Sequence, residues 1–285
     1  MRGLSAADVV AVWERGQERH PVDRALLLLG AALPARSRDE LAALTVGQRD
    51  GLLLLARERT LGPTLQCFVP CPACALSLEF PVEVREILVA DPHAPLEREH
   101  EVTAEGVRMR FRLLDSRDLA AVARIADPAA ARRALLSRAL LWARAVGGSG
   151  DVRGSGDVGG SGDVDGSGDV SGSRDGAADG SVGAGDGDGE MIPAARLPAP
   201  AAAALAAELA KRDPQAEVEF NLRCAGCGHA WLSLLDVAAF FWAEVSVQAR
   251  RLLREVHQLA KAYGWRENDV LGMSAARRAF YLEQA

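Results

Sequence analysis

The chain has 285 residues, 49% of them hydrophobic, enough to bury one sizeable core or two small ones. Its longest apolar runs, the seven residues 201–207 and 237–243, are far too short to cross a bilayer. The polar start Met1-Arg2-Gly3-Leu4-Ser5 has no signal-peptide centre, so a cytoplasmic protein with no membrane span is expected. The formal charge of −6 is concentrated in residues 147–190, where nine Asp and one Glu against two Arg give −8. The remaining 241 residues therefore carry +2, a balance that argues against both a nucleic-acid and an acidic-protein class.

In chain order, Ser5 followed by Asp8 reads as a helix N-cap, with Val9, Val10, Val12 and Trp13 on the apolar face. Pro21 opens a second helix through Leu26–Leu29, which Pro34 ends. Ser37 opens a third, and Thr45 caps a fourth that carries Leu52–Leu55. These make a helical N-terminal module over 1–64. From Leu65 the period changes: Leu76, Leu78, Phe80, Val82 and Val84 alternate as in a half-buried strand. Glu101–Thr103, a turn at Ala104-Glu105-Gly106, and Val107, Met109 and Phe111 predict a second hairpin, so that 65–112 is a β-rich segment. A helical segment follows over 113–146, capped by Ser116 and running from about 117 to 144, with a break at Asp127-Pro128.

Residues 147–190 hold 17 of the 28 glycines and repeat Gly-Ser-Gly-Asp-Val four times at a six-residue period. Without aromatics, such a stretch cannot offset its ordering entropy by burial, and a disordered tether is expected there. Segment 191–231 brings a helix over Ala201–Lys211 and a strand over Glu217–Arg223. The last segment, 232–285, carries a long helix from Leu234 to Tyr263, ended by Gly264, and two shorter helices after it.

The five cysteines hold the chemistry. Cys71-Pro72-Ala73-Cys74 and Cys224-Ala225-Gly226-Cys227 are two knuckles. The first leads into a strand and the second follows one, a pattern that supplies four thiolates to one tetrahedral Zn²⁺. Their separation of 149 residues raises loop closure by only about 2 kcal/mol over a compact ribbon. Structural zinc contributes on the order of 10–16 kcal/mol in small finger peptides. A structural site closed by Cys71, Cys74, Cys224 and Cys227 is therefore expected, one whose loss should abolish folding. A redox pair would need a helix N-terminus in a βαβ unit, and disulfides an oxidising compartment; neither context is present. Cys67 reads as a spare buried thiol and His229 as a packing histidine. Gly228 fills the left-handed position after its knuckle, whereas Ala75 fills the matching place in the first. The fold class is mainly α with a small β zinc-ribbon element (α+β). With no nucleotide loop, nucleophile elbow or paired catalytic carboxylates, no enzyme is expected.

The stretch Cys224-Ala225-Gly226-Cys227-Gly228-His229-Ala230-Trp231, the 234–263 helix with Phe241-Trp242 and Arg254-Glu255-Val256-His257, the Tyr263-Gly264-Trp265 break and the ending Met273-Ser274 to Tyr281-Leu282-Glu283 resemble a phage-type family. It is the baseplate protein and baseplate hub assembly chaperone family of T-even-like contractile tails and extracellular contractile injection systems. His20–Ala25, Cys71–Cys74 with Leu78-Glu79-Phe80, and Leu114–Leu119 are similar to it as well. The resemblance implies a non-enzymatic assembly chaperone or baseplate component whose partners are hub, spike or wedge proteins, with no small-molecule substrate. Phe240, Phe241, Trp242, Trp265 and Tyr281 are the candidate partner surface, against the alternative that they fill the core between helices. The competing reading is a zinc-ribbon nucleic-acid-binding or transcription-related module, which four-cysteine ribbons often serve and which the charge balance disfavours. A hydrolytic zinc enzyme would need a vacant coordination position, which four thiolates do not leave.

Overall fold

The helix starts follow side chains that can cap them in the computed structural model, which describes residues 1–146 and 190–285. Ser5 and Asp8 form a reciprocal capping box on α1 (Ala6–Gly16), and His20 Nδ1 accepts from the Val22 N–H at α2 (Pro21–Ala32). Ser37 with Glu40 and Thr45 with Gln48 repeat the box on α3 (Arg38–Ala42) and α4 (Val46–Leu61). The four expected N-terminal helices are all present.

Strand β1 (Thr64–Pro70) pairs antiparallel with β2 (Ser77–Glu83), and a single turn α5 (Val84–Ile87) follows. Strands β3 (Glu99–Ala104) and β4 (Val107–Arg112) form the expected second hairpin, closed by Glu105 and Gly106, both at positive φ. The helix expected over 117–144 is corrected in two ways. Asp115, not Ser116, caps α6 (Ser116–Val122), because its carboxylate reaches the N–H groups of Arg117 and Asp118. After α7 (Pro128–Ala139), residues Leu140–Ala145 form a strand, β5, on the open edge of β4. Pairing with β4 and burial of Ala143 outweigh the helix propensity of Leu, Ala and Arg. Downstream come α8 (Ala199–Arg212), β6 (Glu219–Arg223), β7 (Ala230–Leu234), α9 (Val237–Tyr263), α10 (Glu267–Leu271) and α11 (Ala275–Leu282). The long helix therefore starts at Val237, capped by Asp236, and Leu234 belongs to a strand. The class is α+β, as expected.

These elements build two cores. In the first, Val12 (α1), Leu28 and Leu29 (α2) and Leu52–Leu54 (α4) pack around Phe241, Val245, Ala249 and Leu252 of α9. The bases of both cysteine hairpins join it through Leu65, Cys67, Val82 and Val218. The second core is smaller, with Val107, Met109, Phe111 and Ala143 of the β3–β4–β5 sheet covered by Ala201 and Leu205 of α8. The two meet at Asp213, whose carboxylate accepts from the Gly47 N–H (2.9 Å) and the Thr45 hydroxyl (3.2 Å) at the start of α4. A Cβ on Gly47 would lie 2.0 Å from Asp213 Oδ1, so only glycine admits this contact.

The expected tether, 147–190, lies outside the described residues except at Glu190. Its two flanks are described and touch: the Ala145 N–H donates to Glu190 O (3.0 Å) and the Ile192 N–H to Ala143 O (2.9 Å). Among the described residues no helix is long and apolar enough to cross a membrane.

Candidate metal centre

Each knuckle closes a β-hairpin, and the two loops have the same backbone wiring. The Cys71 N–H donates to Leu76 O and the Ala75 N–H to Cys71 O, both at 2.9 Å. In the second loop Cys224 N–H donates to His229 O (2.8 Å) and Gly228 N–H to Cys224 O (2.9 Å). The residue after each second cysteine is left-handed, at φ +59° for Ala75 and +75° for Gly228. An L-residue there costs about 1–2 kcal/mol, so the first knuckle holds Ala75 against its own preference.

The two tips face one another. Cys71 Sγ lies 3.7 Å from Cys227 Sγ and Cys74 Sγ 3.6 Å from Cys224 Sγ, and all four sulfurs fall within 4.8 Å of one another. A tetrahedral site with metal–sulfur bonds of about 2.3 Å has sulfur–sulfur edges of about 3.8 Å. Four separate thiols at these distances match that edge, and all five cysteines are free. The fit is consistent with a metal ion held between the knuckles, each contributing one buried sulfur (Cys71, Cys224) and one exposed one (Cys74, Cys227). Such a set would have no open position for substrate.

The electrostatics favour a cation at the centre. The backbone N–H groups of Cys227 and Gly226 favour the Cys224 thiolate, and its pKa falls to about 7. The Leu76 N–H favours the Cys74 thiolate too, yet the sulfurs of Cys227, Cys224 and Cys71 push Cys74 up to about 12. Four thiols this close resist joint ionisation unless a positive ion relieves the repulsion.

Packing beneath the tips supports the pairing. Phe80 of β2 meets Phe220 of β6 edge-on at 5.8 Å, and Leu76 reaches the Gly226 backbone, where a Cβ would lie 3.0 Å from its Cδ2. His229 stacks on Trp231 and stands outside the sulfur cluster. Cys67 is buried in the first core, where burial raises its thiol pKa.

The candidate partner residues separate. Phe241 is 1% exposed and fills the first core, so it offers no surface to a partner. Trp242 packs over Gly16, where a Cβ would lie 2.4 Å from its ring, and beneath the Arg24 guanidinium at 4.7 Å. Phe240 is half-buried against the same core. Trp265 stacks on Tyr263 (4.6 Å) and meets Tyr281 edge-on (4.8 Å), forming an aromatic cluster at the far end of α9. Sequence reasoning missed β1 and β7, which complete the two hairpins, and the buried Arg57–Glu244 pair that joins α4 to α9. Compared with protein-family models, curated proteins and solved structures, the chain matches none.

Proposed function

We propose that this is a non-enzymatic, cytoplasmic assembly protein whose two hairpins are joined by a structural Zn²⁺. It helps to build, or belongs to, the baseplate hub of a contractile phage tail or injection system. The observation that carries the zinc reading is the closed set of four sulfurs at tetrahedral spacing, contributed by two loops far apart in the chain. The baseplate role rests on the pattern from Cys224 through Glu283 and its resemblance to the hub assembly family. A rigid body of long helices beside two braced hairpins suits a protein that presents surfaces to partners.

Metal analysis of the purified, reduced chain should give one zinc per molecule; none would overturn the zinc reading. A tagged chain drawn from cells making the particle should bring hub, spike or wedge proteins with it, and recovery of none would overturn the baseplate role. Mass spectrometry of purified particles then separates a stoichiometric component from a transient chaperone. A nucleic-acid module is the second reading, favoured by Trp142 lying close to both Arg108 and Arg144. Glu101 and Glu99 pair with Arg108 and Arg110 on that face and oppose it. Salt-dependent retention of DNA or RNA in a gel shift would revive it.

A further inference from the structure

The two cysteine hairpins leave two strand edges open beside an apolar groove, and their chemistry says what would fill it. In β1 the bond from Cys71 N–H to Leu76 O sets the antiparallel alternation. Residues 69, 67 and 65 thus turn their backbone groups toward β2, while Gln66 and Phe68 turn theirs outward. Pro81, which has no N–H to give, stands opposite Gln66, as that phase requires. In β7 the bonds from Cys224 N–H to His229 O and from Leu235 N–H to Val218 O set the same alternation. Leu232 and Leu234 therefore turn their backbone groups outward. Among the described residues neither edge has a strand partner.

The residues that offer unpaired backbone are also the ones that expose apolar side chains. Phe68 is 63% exposed, Leu232 60% and Leu234 62%. A groove of about 290 Å³ runs between the two hairpins, with Cys67 and Phe68 on one side, Leu234 on the other, and Phe220 and Phe240 also lining it. Among the described residues the one charged side chain lining it, Asp236, is engaged in capping α9 through the Ala239 N–H.

We propose that this groove takes an extended, uncharged segment of a partner protein. That segment adds as a strand to the β7 edge and places alternate apolar side chains against Phe68, Phe220 and Leu234. The open backbone edge selects an extended chain over a helix, whose own N–H and C=O groups are already paired. A second copy of this chain fits less well. Two five-residue β7 strands would pair along only about 17 Å, a contact too short to bury by itself the about 1,200 Å² or more of a stable dimer interface, and would leave the groove unfilled.

The test uses the full metal-loaded chain as bait for a random heptapeptide phage-display library. The expected result is enrichment of sequences with apolar residues at alternate positions. Made synthetically, the best peptide should lose about tenfold or more in affinity when single backbone N-methyl groups are placed at one set of alternate residues. Methylation of the intervening residues should change affinity little. Leu234→Glu and Phe68→Glu should abolish binding while the helical circular dichroism and melting temperature stay near those of the unaltered chain. If a glutamate variant unfolds, Leu234→Ser replaces it as the readout. No enrichment, binding indifferent to N-methylation, or binding that survives both glutamate variants would overturn the proposal, as would a dimer that Leu234→Glu dissociates. The inference goes beyond the baseplate reading. Failure to recover tail proteins would not touch the peptide result, and failure of peptide binding would leave the zinc and baseplate tests standing.

Discussion

Replacing Arg57 by alanine should destabilise the first core by about 3 kcal/mol. Its side chain is 4% exposed and donates to both Glu244 oxygens, at 2.9 and 2.6 Å, and to Gly62 O at 2.6 Å. Truncation removes three charge-assisted hydrogen bonds but strands a glutamate that is itself a quarter exposed and can reach water, so the loss falls at the lower end for a broken buried pair. Glu244→Ala should cost more, about 3–5 kcal/mol, because among the described residues the buried guanidinium then keeps only Gly62 O as acceptor. The double variant Arg57→Met, Glu244→Leu should return to within about 1.5 kcal/mol of the unaltered chain, since neither charge is then left alone. Urea unfolding followed by far-ultraviolet circular dichroism reads these as midpoint shifts of roughly 1–2 M for the single variants. Single losses below about 1 kcal/mol, or a double variant as unstable as the sum of the two, would refute the claim that this pair joins α4 to α9 within one packed core.

Metal removal should act locally. With a chelator, or in Cys74→Ser, hydrogen exchange should rise in residues 64–83 and 219–234 while α4 and α9 stay protected, because the hairpin bases remain anchored by Leu65, Val82 and Val218. Loss of protection in α9 would instead support the expectation, drawn from sequence, that the metal holds the entire fold. Ala75→Gly should relieve the left-handed strain and stabilise the metal-bound form by about 0.5–1 kcal/mol, once the larger unfolded-state freedom of glycine is subtracted. Gly228→Ala should lose about as much, and a chelator competition would read both changes as two- to fivefold shifts in metal affinity. Burial pushes the Asp118 carboxyl up, but Arg112, the Asp115 N–H and Arg138 more than offset it and hold the group below the usual carboxylate range. Its contribution is therefore complete above about pH 4 and is lost as pH falls through the lower folded value. The urea midpoint should drop more steeply on acidification in the unaltered chain than in Asp118→Asn; equal slopes would refute that assignment.

Much of the architecture was legible because local chemistry and tertiary packing agree. Ser5, Ser37, Thr45 and Ser274 cap helices where their spacing to the apolar stripes says they should, and Gly264 ends α9 in the left-handed conformation. The metal cluster was readable for a related reason: a Cys-x-x-Cys turn carries its own geometry, and two of them adjoining strands need only be brought together. What stayed hidden depends on partners distant in sequence. β5 has a helical composition and becomes a strand only because β4 offers an open edge. Trp142 and Ala143 give no local sign of that edge. The Arg57–Glu244 pair spans 187 positions and looks in sequence like two ordinary charges on two helices. Phe240, Phe241 and Trp242 are adjacent in sequence yet meet different surroundings, which only the rotation of α9 against α1 and α2 decides.

The contact between Ala145 and Glu190 changes what the glycine-rich stretch can do. A spacer works by setting the separation of the bodies at its two ends, but here the chain departs and returns at a single hydrogen-bonded point on the second sheet. The two ends of 147–189 are thus held side by side, and the number of residues between them is not transmitted to the distance between any two described parts of the molecule. Exchanging them for a turn of about four residues should leave the fold intact and raise its stability by about 2 kcal/mol through the shorter closure. A drop in melting temperature on that exchange would show that the stretch is tied into the fold elsewhere.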